Sequence, residues 1–472
     1  MKTKILIILI ILIGLGVGIT ESSAINPESP KKGQALLTLY DENGDSWTNA
    51  TVKYTQTAHD FLFGVSMTSP RGRVPPRIYS DLKTVGVNYA LPFVSWVNVE
   101  PEKGKYTWDT IDYMYRPAEM HQLGYTLNGH CMIWFYDASW NLPSYVSSMN
   151  FDELKQAIYK HVYDSVTHYK GLITYWTINE PLFYSMAIQL SEEQWVEVIR
   201  TTTQAVHAAD PNSKVMVNLP PVEQTTINYY PHQLLETLAS QEVAYDIIGL
   251  EIYADPRIGN QVDEIAYTDI QWASSVLDSY ARFGKPVMVS ETCVPDKPTL
   301  EAQAEWLRKF YAMAFEKPFV VGITWYFIDD DHTQDVPAFF GCGLFPDFDS
   351  EPRPIYQALA DVIQERTTEG TAKTDADGRV RIVGYAGDYL IEADDGIRKA
   401  SFSIHINEGK EDHISLSASA SIIEPKEEIE EELEEIVKLT EETEKEVEGV
   451  PKNIFQKIWE AIISFFKRIF RI

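Results

Sequence analysis

Two glutamates, Glu180 and Glu291, close apolar runs of the same design. The first run spans Ile173 to Ile178, where every residue is β-branched or aromatic, and ends in Asn179, Glu180 and Pro181. The second spans Pro286 to Ser290 and ends on Glu291. A carboxylate at the end of an apolar strand is costly unless it is solvated, paired or neutral. Such a position suits an acid whose surroundings raise its pKa. One such glutamate reads equally well as a solvated strand end; two of them can divide acid–base work between them. One carboxyl, protonated, would give its proton to a leaving oxygen, while the other, ionised, would attack carbon or activate water. The two lie 111 residues apart, so only a closed or wound tertiary structure brings them together.

The elements able to do this are apolar strands alternating with longer helical patterns. Strands are expected near residues 61–65, 87–92, 125–134, 173–179, 214–218, 246–253, 286–291 and 320–327, with helices between them, such as 151–169 and 192–209. Eight strands with intervening helices over about 300 residues match a (β/α)₈ TIM barrel. Chemistry in that α/β fold sits at the C-terminal strand ends, where His130, Asn179, Glu180, Asn218, Tyr253 and Glu291 collect. The rival, a doubly wound sheet, lacks its glycine-rich phosphate loop after the first strand.

Outside the barrel range of 61–365, residues 33–60 alternate as two or three strands. Short alternating strands over 366–422 predict a small appended β-sandwich, which the N-terminal strands would complete. Residues 1–24 have the basic start, short apolar run and small-residue end of a secretory signal, which predicts an extracellular protein. Asn49-Ala50-Thr51 matches the glycosylation acceptor pattern. Residues 423–450 read as an acidic spacer: Glu424 to Glu448 holds thirteen Glu against three Lys. Residues 451–472 read as an amphipathic C-terminal helix. From Asn453 to Ile472 large apolar residues recur every three or four positions, with Lys457, Lys467, Arg468 and Arg471 on the other side. Such a helix suits a membrane interface, cell-surface association included, or docks on protein.

Composition bounds the partners. A formal net charge of −29 argues against nucleic acid and against general attraction to anionic membranes. Three cysteines, Cys131, Cys293 and Cys342, lack ligand-like spacing, so no metal centre is expected and no cofactor is implied. They read as free buried thiols, with a Cys293–Cys342 bridge as the alternative. Asp329, Asp330, Asp331 and His332 look metal-like, yet loop carboxylates near a cleft are more often solvated or substrate-facing.

Paired strand-end glutamates on one barrel suggest glycoside hydrolysis, retaining if the carboxyls lie about 5–5.5 Å apart and inverting if wider. Trp96, Trp134, Tyr136, Trp140, Trp325 and Tyr326 fall at or just past strand ends, where flat rings stack on sugars or fill the core. The motifs at Asn128 to Trp134, Thr177 to Glu180 and Val287 to Glu291 resemble the third, fourth and seventh strands of glycoside hydrolase family 10. Val87 to Tyr89 with Trp96, Glu100 and Pro101 echoes its second-strand region; Leu142 to Val146 and Gly343 to Tyr356 resemble its Leu-Pro-Ser-Trp-Val and closing segments. The resemblance runs from about Phe61 to Asp361. It implies a retaining β-1,4-xylanase-like enzyme acting on a polysaccharide, with Glu180 as general acid/base and Glu291 as nucleophile. It also implies that Asn179 bonds the sugar 2-hydroxyl and that His130 and Trp134 line the site. Asn218, Glu251, Tyr253 and Trp325 complete the expected substrate-binding set, and Tyr253 could hydrogen-bond the nucleophile.

The chain departs from the family pattern around that pair. Leu91 to Trp96 is apolar where the family carries a Glu-Asn pair and a Lys. Phe135 replaces a histidine, Glu251 and Tyr253 replace a Gln-x-His pair, and Leu219 replaces an aspartate. A site that hydrogen-bonds particular hydroxyls discriminates strongly, so the rewritten shell leaves two further readings open: the same chemistry on another β-glycan, and a non-catalytic carbohydrate-binding surface protein.

Overall fold

The computed structural model describes residues 29–69, 72–135, 142–179, 188–221, 230–253, 269–296, 298–330 and 341–418; the side chain of Asn179 is not among the described groups. The expected signal segment (1–24), acidic spacer (423–450) and C-terminal helix (451–472) lie outside them, as do Tyr136, Trp140, Glu180, Asp331 and His332.

Two N-terminal strands, β1 (Lys32–Tyr40) and β2 (Thr51–His59), precede the barrel. Its strands follow: β3 (Leu62–Ser66), β4 (Tyr89–Leu91), β5 (Thr126–Gly129), β6 (Tyr175–Asn179), β7 (Lys214–Leu219), β8 (Ile247–Tyr253), β9 (Val287–Cys293) and β10 (Val320–Trp325). They pair in parallel in chain order, and β10 closes on β3. The eight strands and their order agree with the sequence expectation. The third is shorter than expected, because the chain after Gly129 leaves the sheet.

Helices between the strands start where local chemistry satisfies their first N–H groups. Asn150 and Glu153 form a capping box on helix Phe151–His168, and Ser191 and Gln194 do the same for Glu192–Ala209. Thr299 caps Leu300–Phe315, while proline opens the helices Pro76–Thr84, Pro231–Ser240 and Pro354–Glu365.

Leu62, Tyr89, Leu91, Met216, Ile247 and Met288 form one buried cluster drawn from the barrel strands. Toward the C-terminal ends the lining turns polar with Asn218, Ser290 and Glu251, and Gly249 makes the room for it. A Cβ on Gly249 would stand 2.5 Å from Asn218 Oδ1.

After the barrel come β11 (Glu369–Lys373), β12 (Arg379–Tyr385), β13 (Gly387–Asp394), β14 (Lys399–Ile406) and β15 (Glu411–Ser417). They do not stand apart from the N-terminus. β1 lies between β12 and β15, and β2 lies between β11 and β13, so both sheets need both ends of the described chain. Leu37, Leu39, Val52, Ile382, Ile391 and Ile406 fill the space between the sheets.

Where the sandwich meets the barrel, Lys31 Nζ donates to the Pro318 carbonyl at 3.0 Å, and Phe315 packs against Phe61 and Tyr385. Asn88, just before β4, ties that end together. Its amide donates to the carbonyls of His59 and Phe61 at 3.1 and 3.0 Å, and its side-chain oxygen accepts the Phe63 N–H at 2.8 Å. Asn88→Ala strands three backbone groups, which is expected to cost about 2–4 kcal/mol. A urea-unfolding midpoint equal to that of the wild type would contradict this staple.

Candidate active site

Strand β9 is buried along its whole length, and past Val289 its register slips against both neighbours. On the β8 side Leu250 faces Val289 while Glu251 faces Glu291; on the β10 side Ile323 faces Val289 while Trp325 faces Thr292. One extra residue on β9 is a β-bulge, which resets the alternation of side chains and re-aims them. Consecutive residues Ser290 and Glu291 therefore both reach partners across the barrel. Ser290 Oγ donates to Asn218 Oδ1 on β7, and Glu291 reaches His130, which follows β5. Neither β5 nor β7 is a sheet neighbour of β9, so both contacts run through the interior.

Glu291 is 2% exposed, with one oxygen hydrogen-bonded and the other facing an imidazole. The Tyr253 hydroxyl donates to Oε2, and His130 Nε2 lies 3.2 Å from Oε1. Burial, reinforced by the carboxylates of Glu291 and Glu251, pushes the Tyr253 phenol well above its ordinary pKa, so it remains a donor. His130 is buried and fixed through its backbone: its N–H donates to the Pro92 carbonyl at 3.1 Å, and its carbonyl accepts from Val94. Asn218 donates its amide to Glu251 Oε1. Among the expected residues, His130, Asn218, Glu251, Tyr253 and Glu291 are thus brought together. Asn179 ends β6 directly after a register shift against β7, between Thr177 and Asn179.

The aromatic expectations divide. Trp134 and Tyr326 are half-buried and belong to the ring cluster around His130. Phe93 lies 6.4 Å from Trp134 and 5.8 Å from His130, and Tyr326 lies 6.1 Å from both His130 and Tyr253. Trp96 and Trp325 are core. The Trp96 ring is covered by His161, stacked at 4.6 Å, and the fully buried Trp325 donates its indole N–H to the Cys342 carbonyl at 2.8 Å. Position near a strand end does not separate a platform from a packing residue; what separates them is whether the ring is already covered, by His161 for Trp96 and by complete burial for Trp325. All three cysteines are buried thiols outside any disulfide.

Two features escaped the sequence reading. Asn128 bonds Thr177 twice, accepting its N–H at 3.0 Å and donating to its hydroxyl at 2.8 Å, and so locks β5 to β6 just below Asn179. An asparagine inside an apolar strand is the signal that would have found it. Behind the His130 segment, Glu100 accepts from the Trp96 indole at 3.2 Å and from the Gly104 N–H at 2.6 Å, with His161 beside it. Among the described residues no group of three or more His, Cys, Asp or Glu side chains converges as metal ligands would.

Residues 93–362 match the family model of glycosyl hydrolase family 10. The chain belongs to that family. The match begins just after β4 and ends within the helix Pro354–Glu365, so it takes in six of the eight barrel strands. The anti-sigma-I factor RsgI6 of Acetivibrio thermocellus is 25% identical over 80% of this chain and 47% of its own length. Endo-1,4-beta-xylanase 1 of Arabidopsis thaliana is 21% identical over 77% of this chain and 36% of its own length. The chain thus spans less than half the length of these two relatives. Native xylanase 10B of Thermotoga maritima superposes with a TM-score of 0.51 at 19% identity, covering 65% of this chain and 95% of that one. Penicillium canescens endo-1,4-beta-xylanase XylE gives 0.52 at 19% identity over 64% and 94%. Both share the barrel fold of family 10.

The buried His161 gives the barrel a pH dependence. Burial lowers its pKa from 6.5 to about 3, so the unfolded chain binds the proton more readily between those values. Its contribution to stability is complete above pH 6.5 and is lost as the pH falls toward 3. His161→Phe, which keeps a ring on Trp96 and cannot be protonated, is expected to lose less stability between pH 7 and pH 4 than the wild type. Urea titrations at the two pH values measure this, and equal losses would refute it.

Proposed function

We propose that the chain is a retaining glycoside hydrolase acting on a β-1,4-linked, xylan-type polysaccharide, with Glu291 as nucleophile and Glu180 as general acid/base. The observation that carries this reading is Glu291 itself, a buried carboxylate at the C-terminal mouth of a family 10 barrel, held between a phenol and an imidazole. In the first step a Glu291 oxygen bonds to the anomeric carbon while the glycosidic bond breaks and Glu180 passes its proton to the leaving oxygen. In the second, water attacks that carbon, Glu180 takes the water's proton, and the ester to Glu291 breaks. Tyr253 and His130 hold Glu291 on its attack line, which supplies orientation rather than new chemistry. Asn179 takes the sugar 2-hydroxyl. Trp134 and Tyr326 offer ring faces to the chain, and Asn218 and Glu251 support the floor of the site.

The lining also bears on which glycan is cleaved. Phe93 stands beside His130 and Trp134 where the family resemblance leads one to expect charged and amide groups, so fewer sugar hydroxyls are read there. The same mechanism on another plant or microbial β-glycan is therefore part of the proposal, and product release from xylan, glucan, mannan and galactan chooses among them. A second reading has one observation behind it. The alignment with a protein named as an anti-sigma-I factor, and not as a hydrolase, extends over 80% of the chain, which keeps a carbohydrate-binding protein without turnover as the alternative. The signal-like residues 1–24 support export, and the basic amphipathic residues 453–472 support attachment at a membrane surface.

Glu180→Gln and Glu291→Gln are each expected to lower hydrolysis roughly 10²–10⁴-fold or more, with unchanged circular dichroism. Reducing-sugar release at the wild-type rate by either variant removes the mechanism, and none from the wild type on any β-glycan leaves the binding reading. For the surface, the chain is expected to co-sediment with anionic vesicles and to lose this when truncated after Lys452. Equal sedimentation of the two forms would remove the anchor.

A further inference from the structure

A second carboxylate stands beside Glu291. Glu251 on β8 is its register partner on the adjoining strand and is 3% exposed. Asn218 donates to its Oε1 from β7, and the same asparagine accepts the Ser290 hydroxyl from β9, so Asn218 links Glu251 to the residue that precedes Glu291. The Tyr253 phenol that donates to Glu291 feels the charge of both carboxylates. Two acids in one desolvated corner ionise one after the other, each opposing the other's charge.

We propose that Glu251 is a positioning residue whose charge sets the pH at which Glu291 becomes ionised and able to attack. The inference rests on the reading of Glu291 as the nucleophile. The donors are divided between the two acids: the Tyr253 hydroxyl bonds Glu291, which also faces His130 at 3.2 Å, and the Asn218 amide bonds Glu251. Among the described residues, His130 after β5 and Tyr253 on β8 meet Glu291, and Cys293 on β9 and Tyr326 after β10 lie around Tyr253. Glu251→Gln removes the charge and keeps a side-chain oxygen for Asn218, so it separates the electrostatic role from a packing role.

The test uses the full chain labelled with ¹³C at the glutamate carboxyls, the Glu291 resonance being identified by its loss in Glu291→Gln. In Glu251→Gln, and in Glu251→Ala should the glutamine variant not fold, the Glu291 carboxyl is expected to titrate lower by about one pH unit or more. The acid limb of kcat/KM on xylan is expected to move with it, and Glu251→Asp to keep the wild-type midpoint. A Glu291 midpoint unmoved by loss of the charge overturns the proposal, even where kcat falls, because a purely structural role lowers activity without moving the titration. A chain that hydrolyses no glycan and still shows the shift supports the coupling while removing the hydrolase reading, so the two failures are told apart.

Discussion

One bulge in β9 decides what this barrel mouth contains. In a regular strand alternate side chains face opposite sides, so Ser290 and Glu291 could not both face the interior. The extra residue breaks that alternation against β8 and β10 together, and it sends the serine to Asn218 and the glutamate to Tyr253 and His130. A carboxylate at 2% exposure is tolerated only with strong partners. The geometry that buries Glu291 must therefore also deliver its donors. Those donors come from β8 and from the segment after β5, on opposite sides of the closed sheet. Closure of the barrel is thus a condition for the site, and Gly249 supplies the space in which Asn218 and Glu251 meet beneath it.

How far this was legible in the sequence depends on whether the cause is local. Apolar runs of strand length gave all eight barrel strands in order, because burial on both faces of a parallel strand leaves an unbroken hydrophobic signature. Helices 151–168 and 192–209 were legible for the same kind of reason, since their apolar period and their caps are written within a few residues of each end. The polar strand ends could be read as well, and His130, Asn218, Glu251, Tyr253 and Glu291 do converge. What could not be read depends on partners distant in the chain. The bulge is defined only against β8 and β10. The insertion of β1 between β12 and β15 joins residues more than 300 positions apart. Trp96 and Trp325 looked like Trp134 in the sequence, and only His161 over one ring and the complete burial of the other set them apart. The run expected over 125–134 was too long because residues after Gly129 stay apolar while leaving the sheet. They are held there by backbone bonds between His130 and the Pro92–Val94 segment.

The replacement of an imidazole by the phenol of Tyr253 has a consequence beyond shape. An imidazole beside a carboxylate can carry a proton and a full positive charge, and its contribution then depends on pH. The Tyr253 phenol, its pKa raised by burial and by the two carboxylates around it, donates one hydrogen bond and never becomes a cation. Glu291 therefore keeps a neutral donor at Oε2 across the whole range in which it can be ionised. The other groups at the corner are His130, whose Nε2 lies 3.2 Å from Oε1, and the neighbouring acid Glu251, which Asn218 holds. Glu in place of Gln at position 251 adds a negative charge, and Tyr in place of His at 253 removes the capacity for a positive one. The two changes lie on one strand, two residues apart, and their side chains meet the same carboxylate or its field. They are best understood as one electrostatic alteration, in which the nucleophile keeps its hydrogen bonds while the charge around it is redistributed.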